Sequence, residues 1–314
     1  MTLTPARPVD TVAPTQPIPP RGRRRARSVP ADAVPAALRP GRAARTLGTV
    51  ALVVGCLYFL VPVFWLLVAS TKDNADLTSS FGFWFADWNL GTNYDSLMEW
   101  TQGLFWRWVV NSVVYSTVAG VVGTLLSVMA GYAIAKFDFP GKKVAVGVIL
   151  AGLLLPIALL TVPLYLEFHA IGLTNTVWAV IIPSSVSPFG VFLGIVYAGS
   201  SVPDELLEAA RIDGASEVRT FFTVVLRLLA PAMVTIFLFI FVATWNNFLL
   251  PLLMVSSPEL KPVTLGLYGM MTYFSPDKGA VMLGALLGVL PLIVLFFGLQ
   301  RFWQSGLAAG AVKG

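Results

Sequence analysis

The sequence predicts an all-α, polytopic membrane protein with six transmembrane helices. Composition is the first reason. Of 314 residues, 56% are hydrophobic and 12% charged, with a mean hydropathy of +0.78. Soluble domains carry about 25% charged residues, and a soluble core has no room for this much apolar surface. Patterning is the second. The apolar residues fall into six runs, 47–69, 107–134, 144–167, 177–199, 229–254 and 280–300, each near the roughly 20 residues that cross a bilayer as a helix. The runs do not alternate in polarity at every second residue, as barrel strands do, so helices are predicted.

Residues 1–45 precede the first run. They hold nine of the 21 basic residues, including Arg21, Arg23, Arg24, Arg25 and Arg27, and are rich in Pro and Ala. Such a segment buries too little surface to offset its ordering entropy, so a disordered tail is expected, followed by a six-helix transmembrane domain over 46–314. A basic run suits nucleic acid or anionic lipid headgroups. Tethering to a membrane favours the lipid, so no nucleic-acid partner is expected. The basic run ends well before the first apolar span, and that span exceeds the h-region of a signal peptide, so run 47–69 is read as a retained anchor.

Loop charge gives the orientation. With the N-terminus inside, seventeen Lys and Arg face the cytoplasm, and four, Lys72, Arg107, Lys261 and Lys278, face outward. The excess of Lys and Arg on cytoplasmic loops then predicts a multi-pass protein of the cell membrane with both termini cytoplasmic. Outside lie 71–106, with Trp84, Trp88, Trp100 and Trp106, then a turn at 168–176, then a loop at 255–279 punctuated by Pro258, Pro262 and Pro276. Pro156, Pro163, Pro183, Pro188, Pro251 and Pro291 fall within the runs. Each removes a backbone donor and bends its helix. Gly190 with Gly194, and Gly284 with Gly288, permit close helix approach, within the chain or between subunits.

One polar island, Pro203 to Ala215, interrupts runs four and five. Ser201 and Asp204 look like a helix start with Pro203 in the first turn. Leu206, Ala209, Ala210 and Ile212 make a partly apolar face, Gly214 ends the helix, and Ser216 caps a second helix leading through Phe221, Phe222 and Val225 into run five. Small Ala209 and Ala210 admit another backbone, and Glu208 and Arg211 can pair across such a contact. The same physics fits an amphipathic linker resting on headgroups.

Glu208, Ala209, Ala210 and, four residues later, Gly214 match in order and spacing the "EAA" loop of ABC importer permeases, which the chain closely resembles from about residue 47 onward. That resemblance implies a coupling helix over Glu205–Ser216 that seats in a groove of a cytoplasmic ATPase, with Glu205, Glu208, Ala209, Ala210, Arg211, Asp213 and Gly214 as coupling residues. The family's Ile-x-Leu-Pro ending aligns with Val224, Val225, Leu226 and Arg227; the first Pro is replaced by Arg227, and Pro231 remains. Asn111-Ser112, Gly131 to Ala135, Phe139-Pro140-Gly141, Thr244 to Phe248 and the tail Gly306–Gly314 look like the sugar-importing branch, the tail resembling the second permease subunit of maltose-type systems. The resemblance implies a second permease subunit, two ABC ATPase subunits, an extracytoplasmic solute-binding protein that meets loop 255–279, and a sugar substrate.

The chain carries no nucleotide site of its own. A P-loop needs G-x-x-x-x-G-K-[ST], but Gly141-Lys142 is followed by Lys143 and position 136 is Lys. No enzyme activity is expected here, and ATP hydrolysis falls to a partner. No cofactor is expected either. The single histidine, His169, rules out a histidine cluster, and the single cysteine, Cys56, rules out an intrachain disulfide. Two alternatives remain beside a sugar importer: an ion-coupled carrier, for which the runs hold few ionisable groups, and an importer of a non-sugar solute. Trp245, Asn246 and Asn247 in run five, with Thr161 and Tyr165 in run three, are the candidate pathway lining; ordinary packing between helices competes for the same residues.

Overall fold

The computed structural model describes residues 41–271 and 277–310. Fifteen α-helices are described: α1 (Arg42–Ser70), α2 (Asn74–Ser79), α3 (Leu90–Trp100), α4 (Phe105–Lys136), α5 (Lys142–Leu154), α6 (Ile157–Ala170), α7 (Trp178–Ser184), α8 (Pro188–Ser201), α9 (Asp204–Ile212), α10 (Glu217–Thr220), α11 (Leu226–Leu228), α12 (Ala230–Trp245), α13 (Leu249–Met254), α14 (Val263–Met270) and α15 (Lys278–Gly310). A π-helical turn, Phe221–Val225, and a 3₁₀ turn, Pro258–Leu260, complete the set. There is no strand among the described residues. The chain separates into two units, Met1–Phe59 and Leu60–Gly314. The first contains the start of α1, and the second holds the end of α1 and α2 to α15.

The six predicted runs are helical, but not six straight rods. Four helices are long and apolar enough to cross a membrane, and six spans result when each bent pair is counted as one. Run three breaks between α5 and α6 by 106°. The cause is Pro156, which confines Leu155 to an extended backbone, φ −76° and ψ 122°. The segment entering run five turns by 81° between Leu228 and Ala230. Pro231 sits in the first turn of α12, so the bend survives the replacement of the earlier proline by Arg227.

Two elements differ from the sequence expectation. Helix α1 starts at Arg42, inside the expected tail, because Arg42, Ala43, Ala44 and Arg45 favour helix and extend it beyond the apolar run. Residues 1–40, with Arg21 to Arg27, lie outside the described residues, as do Pro276 and the end of the tail motif, Ala311–Gly314. Loop 255–279 is not merely a loop. It contains α14, whose Val263, Leu265, Gly266 and Met270 are buried.

Helix α4 is the hub of the second unit, packed between α8, α12, α7 and α14. Glycine makes the closest approach possible. A Cβ on Gly131 would overlap the backbone of Gly194, and one on Gly194 would stand 2.7 Å from the Ser127 carbonyl oxygen. A Cβ on Gly284 would lie 2.6 Å from Leu267, so both small-residue patterns serve packing within this chain. Three buried clusters fill the gaps, around Tyr132, Val225 and Ile236, around Phe105, Trp108 and Trp245, and around Tyr115, Phe168 and Met254.

Candidate functional site

The polar island folds as a helical elbow. Pro203 precedes α9 with an extended backbone, φ −66° and ψ 140°. Ser201 ends α8 and caps nothing, so the predicted start moves from Ser201 to Pro203: with its fixed φ and no N–H, Pro203 enters the helix more cheaply. Asp204 and Glu205 lie in the first turn and Arg211 in the last, each complementing the helix dipole. Gly214, at φ +75°, reverses the chain, and Ser216 Oγ accepts from Arg219 N at 3.3 Å to start α10.

The buried face differs from the predicted one. Leu207 is 4% exposed, whereas Leu206 is 43% and Ile212 86% exposed. Leu207, Phe221 and Val225 belong to the buried cluster that includes Tyr132 of α4, and the Tyr132 and Phe221 rings lie 5.5 Å apart. The elbow thus hangs from the last turns of α4 by one stripe. Glu205, Glu208, Ala209, Arg211, Asp213 and Gly214 are exposed, and Ala210 is half-buried.

Two ion pairs set the elbow's angle. Arg211 Nε donates to Glu217 Oε1 at 2.7 Å, joining α9 to α10. That bond, and then the charge of Glu217, holds the Arg211 pKa above its ordinary value. Lys136 Nζ donates to Asp204 Oδ1 at 2.7 Å, joining α4 to α9. Lys142 bonds the Phe137 carbonyl at 3.0 Å and pairs with Asp138 at 3.1 Å. A cleft of about 370 Å³ separates the two walls, with Lys136, Asp138 and Lys142 on one and Asp204, Glu208 and Arg211 on the other. Sequence reasoning missed Leu207, Glu217 and Lys136. Only Glu217 carried a local signal, an opposite charge six residues after Arg211 across a glycine turn.

The five candidate lining residues fall into two groups, one at the end of α12 and one within α6. Trp245 is buried, stacks on Phe241 at 5.8 Å and packs with Phe105 and Val109. Asn246 is exposed and donates to the Val242 carbonyl at 2.9 Å, while Asn247 Oδ1 accepts from Leu250 N at 3.4 Å. They occupy the break between α12 and α13, at helix ends rather than within a helix. Thr161 is buried and bonds Ile157 within α6, and Tyr165 stacks on His169 at 5.7 Å in a different cluster. No group of three or more metal-ligating side chains occurs among the described residues.

Residues 123–308, more than half of the chain and including the elbow, match the family described as binding-protein-dependent transport system inner membrane component. The chain belongs to that family. It is an ABC importer permease. The permease is 36% identical over 212 residues to the arabinooligosaccharides transport system permease protein of Halalkalibacterium halodurans, covering 68% of this chain and 76% of the relative. It is 31% identical to the diacetylchitobiose uptake system permease protein of Streptomyces coelicolor, covering 81% and 84%. It is also 31% identical to the trehalose transport system permease protein of Mycobacterium tuberculosis, covering 84% and 95%. The same fold occurs in the crystal structure of a bacterial ABC transporter involved in the import of the acidic polysaccharide alginate, with a TM-score of 0.71, 21% identity, and coverage of 84% of the permease and 99% of that chain. Membership in this family removes the ion-coupled carrier from consideration.

Proposed function

We propose that the permease is one of two membrane subunits of an ATP-driven importer for an oligosaccharide or a related sugar. Two separate ATPase subunits hydrolyse ATP, and an extracytoplasmic solute-binding protein delivers the sugar. The α9–α10 elbow and both termini face the cytoplasm, in accord with the bias of Lys and Arg in the loops.

One observation carries this reading. The elbow combines exposed apolar side chains, Leu206, Ile212 and Val218, with exposed Glu205, Glu208 and Asp213. Exposed apolar side chains interspersed with charge suit a protein partner better than open water. Glu208, Ala209 and Ala210 present a charge and two small residues on which a groove can close. ATP-driven approach of two ATPase subunits would push on this elbow and rock the spans. The sugar assignment draws on the relatives named for arabinooligosaccharides, diacetylchitobiose and trehalose.

The test is co-expression of the full chain with the permease, ATPase and binding-protein genes beside it, purification through a tag on this chain, and reconstitution in proteoliposomes. The expected result is ATPase co-purification, hydrolysis stimulated by the binding protein, and uptake of a labelled oligosaccharide. Uptake that persists without any ATPase subunit overturns the proposal; uptake of only non-sugar solutes overturns its substrate class.

A further inference from the structure

Helix α4 is fastened at both ends. At its start, five side chains on one face bond the backbone of a single turn. Trp108 Nε1 donates to the Pro258 carbonyl at 2.7 Å and Arg107 Nε to that of Glu259 at 3.0 Å. Asn111 Nδ2 donates to the carbonyls of Glu259 at 2.8 Å and Lys261 at 3.0 Å. Tyr115 OH donates to the Leu260 carbonyl at 2.9 Å, and Ser112 Oγ accepts from Val263 N at 2.8 Å. Four consecutive carbonyls, Pro258 to Lys261, are thus held by one helix. Asn175 Oδ1 secures the same loop by accepting from Ser256 N at 3.1 Å and Ser257 N at 2.8 Å. A turn bound this densely cannot shift without carrying α4 along.

At the other end, Lys136 is the last residue of α4 and Asp204 the first of α9. The Lys136 side chain is 8% exposed and reaches Asp204 at 2.7 Å. A cation at the negative end of one helix meets an anion at the positive end of the next, so both dipoles reinforce the pair. Asn111 and Lys136 are 25 residues apart. At about 100° and 1.5 Å per residue they lie within about 20° of each other on one face, about 37 Å apart.

The shaft between them is stiff. Helix α4 has no internal proline, and Gly120, Gly123 and Gly131 are filled by Phe237, by Ser185 with Ile240, and by Gly194. Two neighbouring routes bend, α5 to α6 by 106° and the approach to α12 by 81°.

We infer that Asn111 and Lys136 are positioning residues at the two ends of one strut, α4, so that the loop 256–263 and the helix α9 move as a single body. The inference rests on the proposed function for the statement that α9 is where an ATPase pushes. On that reading, occupancy of the outer loop and the angle of the coupling elbow report on each other without any change inside α4.

The test uses the full chain in lipid nanodiscs, with Cys56→Ala removing the single native cysteine and spin labels at Glu259→Cys and Ile212→Cys. Dipolar spectroscopy should give one narrow distance distribution. Lys136→Met and Asn111→Leu should each broaden it about twofold, and the exchange Lys136→Glu with Asp204→Lys should narrow it in part, since the restored pair then opposes both helix dipoles. Arg107→Met, which removes one bond to the turn, should broaden it less and serves if Asn111→Leu does not fold. Two populations in the parent chain, or widths unchanged in the variants, overturn the strut. These measurements need no ATPase, so failure to recruit one counts against the proposed function alone. In the assembled transporter, Lys136→Met should lower the ratio of binding-protein-stimulated to basal hydrolysis at least threefold, with the charge exchange restoring it in part; an unchanged ratio also overturns the inference.

Discussion

Arg211 and Glu217 close a clasp of 2.7 Å across the reversal at Gly214. Both side chains are about half exposed, so water and salt screen the pair, and its contribution to folding is small. Its effect is geometric, because it sets the angle between α9 and α10. Glu217→Gln should leave the melting temperature of the purified permease nearly unchanged while lowering the amount of ATPase retained through purification several-fold. The exchange Arg211→Glu with Glu217→Arg should recover most of it. Equal retention in the parent and in Glu217→Gln would remove the clasp from the docking argument.

Gly214 separates backbone strain from steric crowding. A Cβ there would meet nothing within 4 Å, yet φ is +75°. Gly214→Ala should therefore cost about 1–2 kcal/mol through conformation alone. Asn, which tolerates left-handed backbone better, should cost less. Uptake should fall in the order parent, Asn, Ala, Val. A variant series that tracks side-chain volume, with Asn below Ala, would show that contact with the partner, not the turn, sets the requirement.

The legible part of this molecule was whatever repeats along the chain. Apolar runs declare spans, Pro156 declares a break and Gly214 declares a turn, because each acts on its own backbone. The elbow's position could be read for the same reason. What could not be read acts at a distance. Lys136 meets Asp204 across 68 residues, and Asn111 meets Glu259 across 148; nothing in either neighbourhood announces the partner. The choice of Leu207 over Leu206 as the buried leucine was hidden too. A nine-residue helix with apolar residues on several sides leaves that choice to packing against Tyr132 and Phe221.

Gly131 and Gly199 give a matched pair for the crossing of α4 and α8. A Cβ at Gly131 would overlap Gly194, while one at Gly199 would meet nothing within 4 Å. Gly131→Ala should destabilise the detergent-solubilised permease by about 1–3 kcal/mol through overpacking. Gly199→Ala should be neutral or slightly stabilising, since Ala outranks Gly in a helix by about 1 kcal/mol. Thermal melts of the two variants side by side check this, and similar losses in both would place the crossing elsewhere.

Lys72 is 1% exposed, and its ammonium donates to Ser80 Oγ at 2.8 Å and to the Phe81 carbonyl at 2.7 Å. Asn93 ties the same corner by donating to the carbonyls of Ser70 and Lys72, both at 2.9 Å. Lys72→Met keeps the stem but leaves the Phe81 carbonyl without that donor, a loss of about 1–3 kcal/mol. Proteolysis between Ser80 and Asn89 should accelerate in the variant. Unchanged cleavage would mean that Asn93 alone holds the corner.

Trp245 and Asn246 are neighbours with opposite surroundings, which makes them the sharpest test of the pathway. The Trp245 ring is 3% exposed and lies in a cluster with Phe105 and Phe241. Truncating it opens a cavity, so Trp245→Ala should destabilise the permease by about 3–5 kcal/mol, and any loss of uptake should follow the loss of folded protein. Asn246 is exposed at the end of α12, where its side-chain amide donates to the Val242 carbonyl at 2.9 Å. Asn246→Ala should leave the melting temperature within a degree or two and raise the KM for an oligosaccharide several-fold at constant permease abundance. The reverse pattern, with Trp245→Phe changing sugar preference in a fully folded protein while Asn246→Ala changes nothing, would move the pathway to the buried side of α12 and require the α12–α13 break to open during transport.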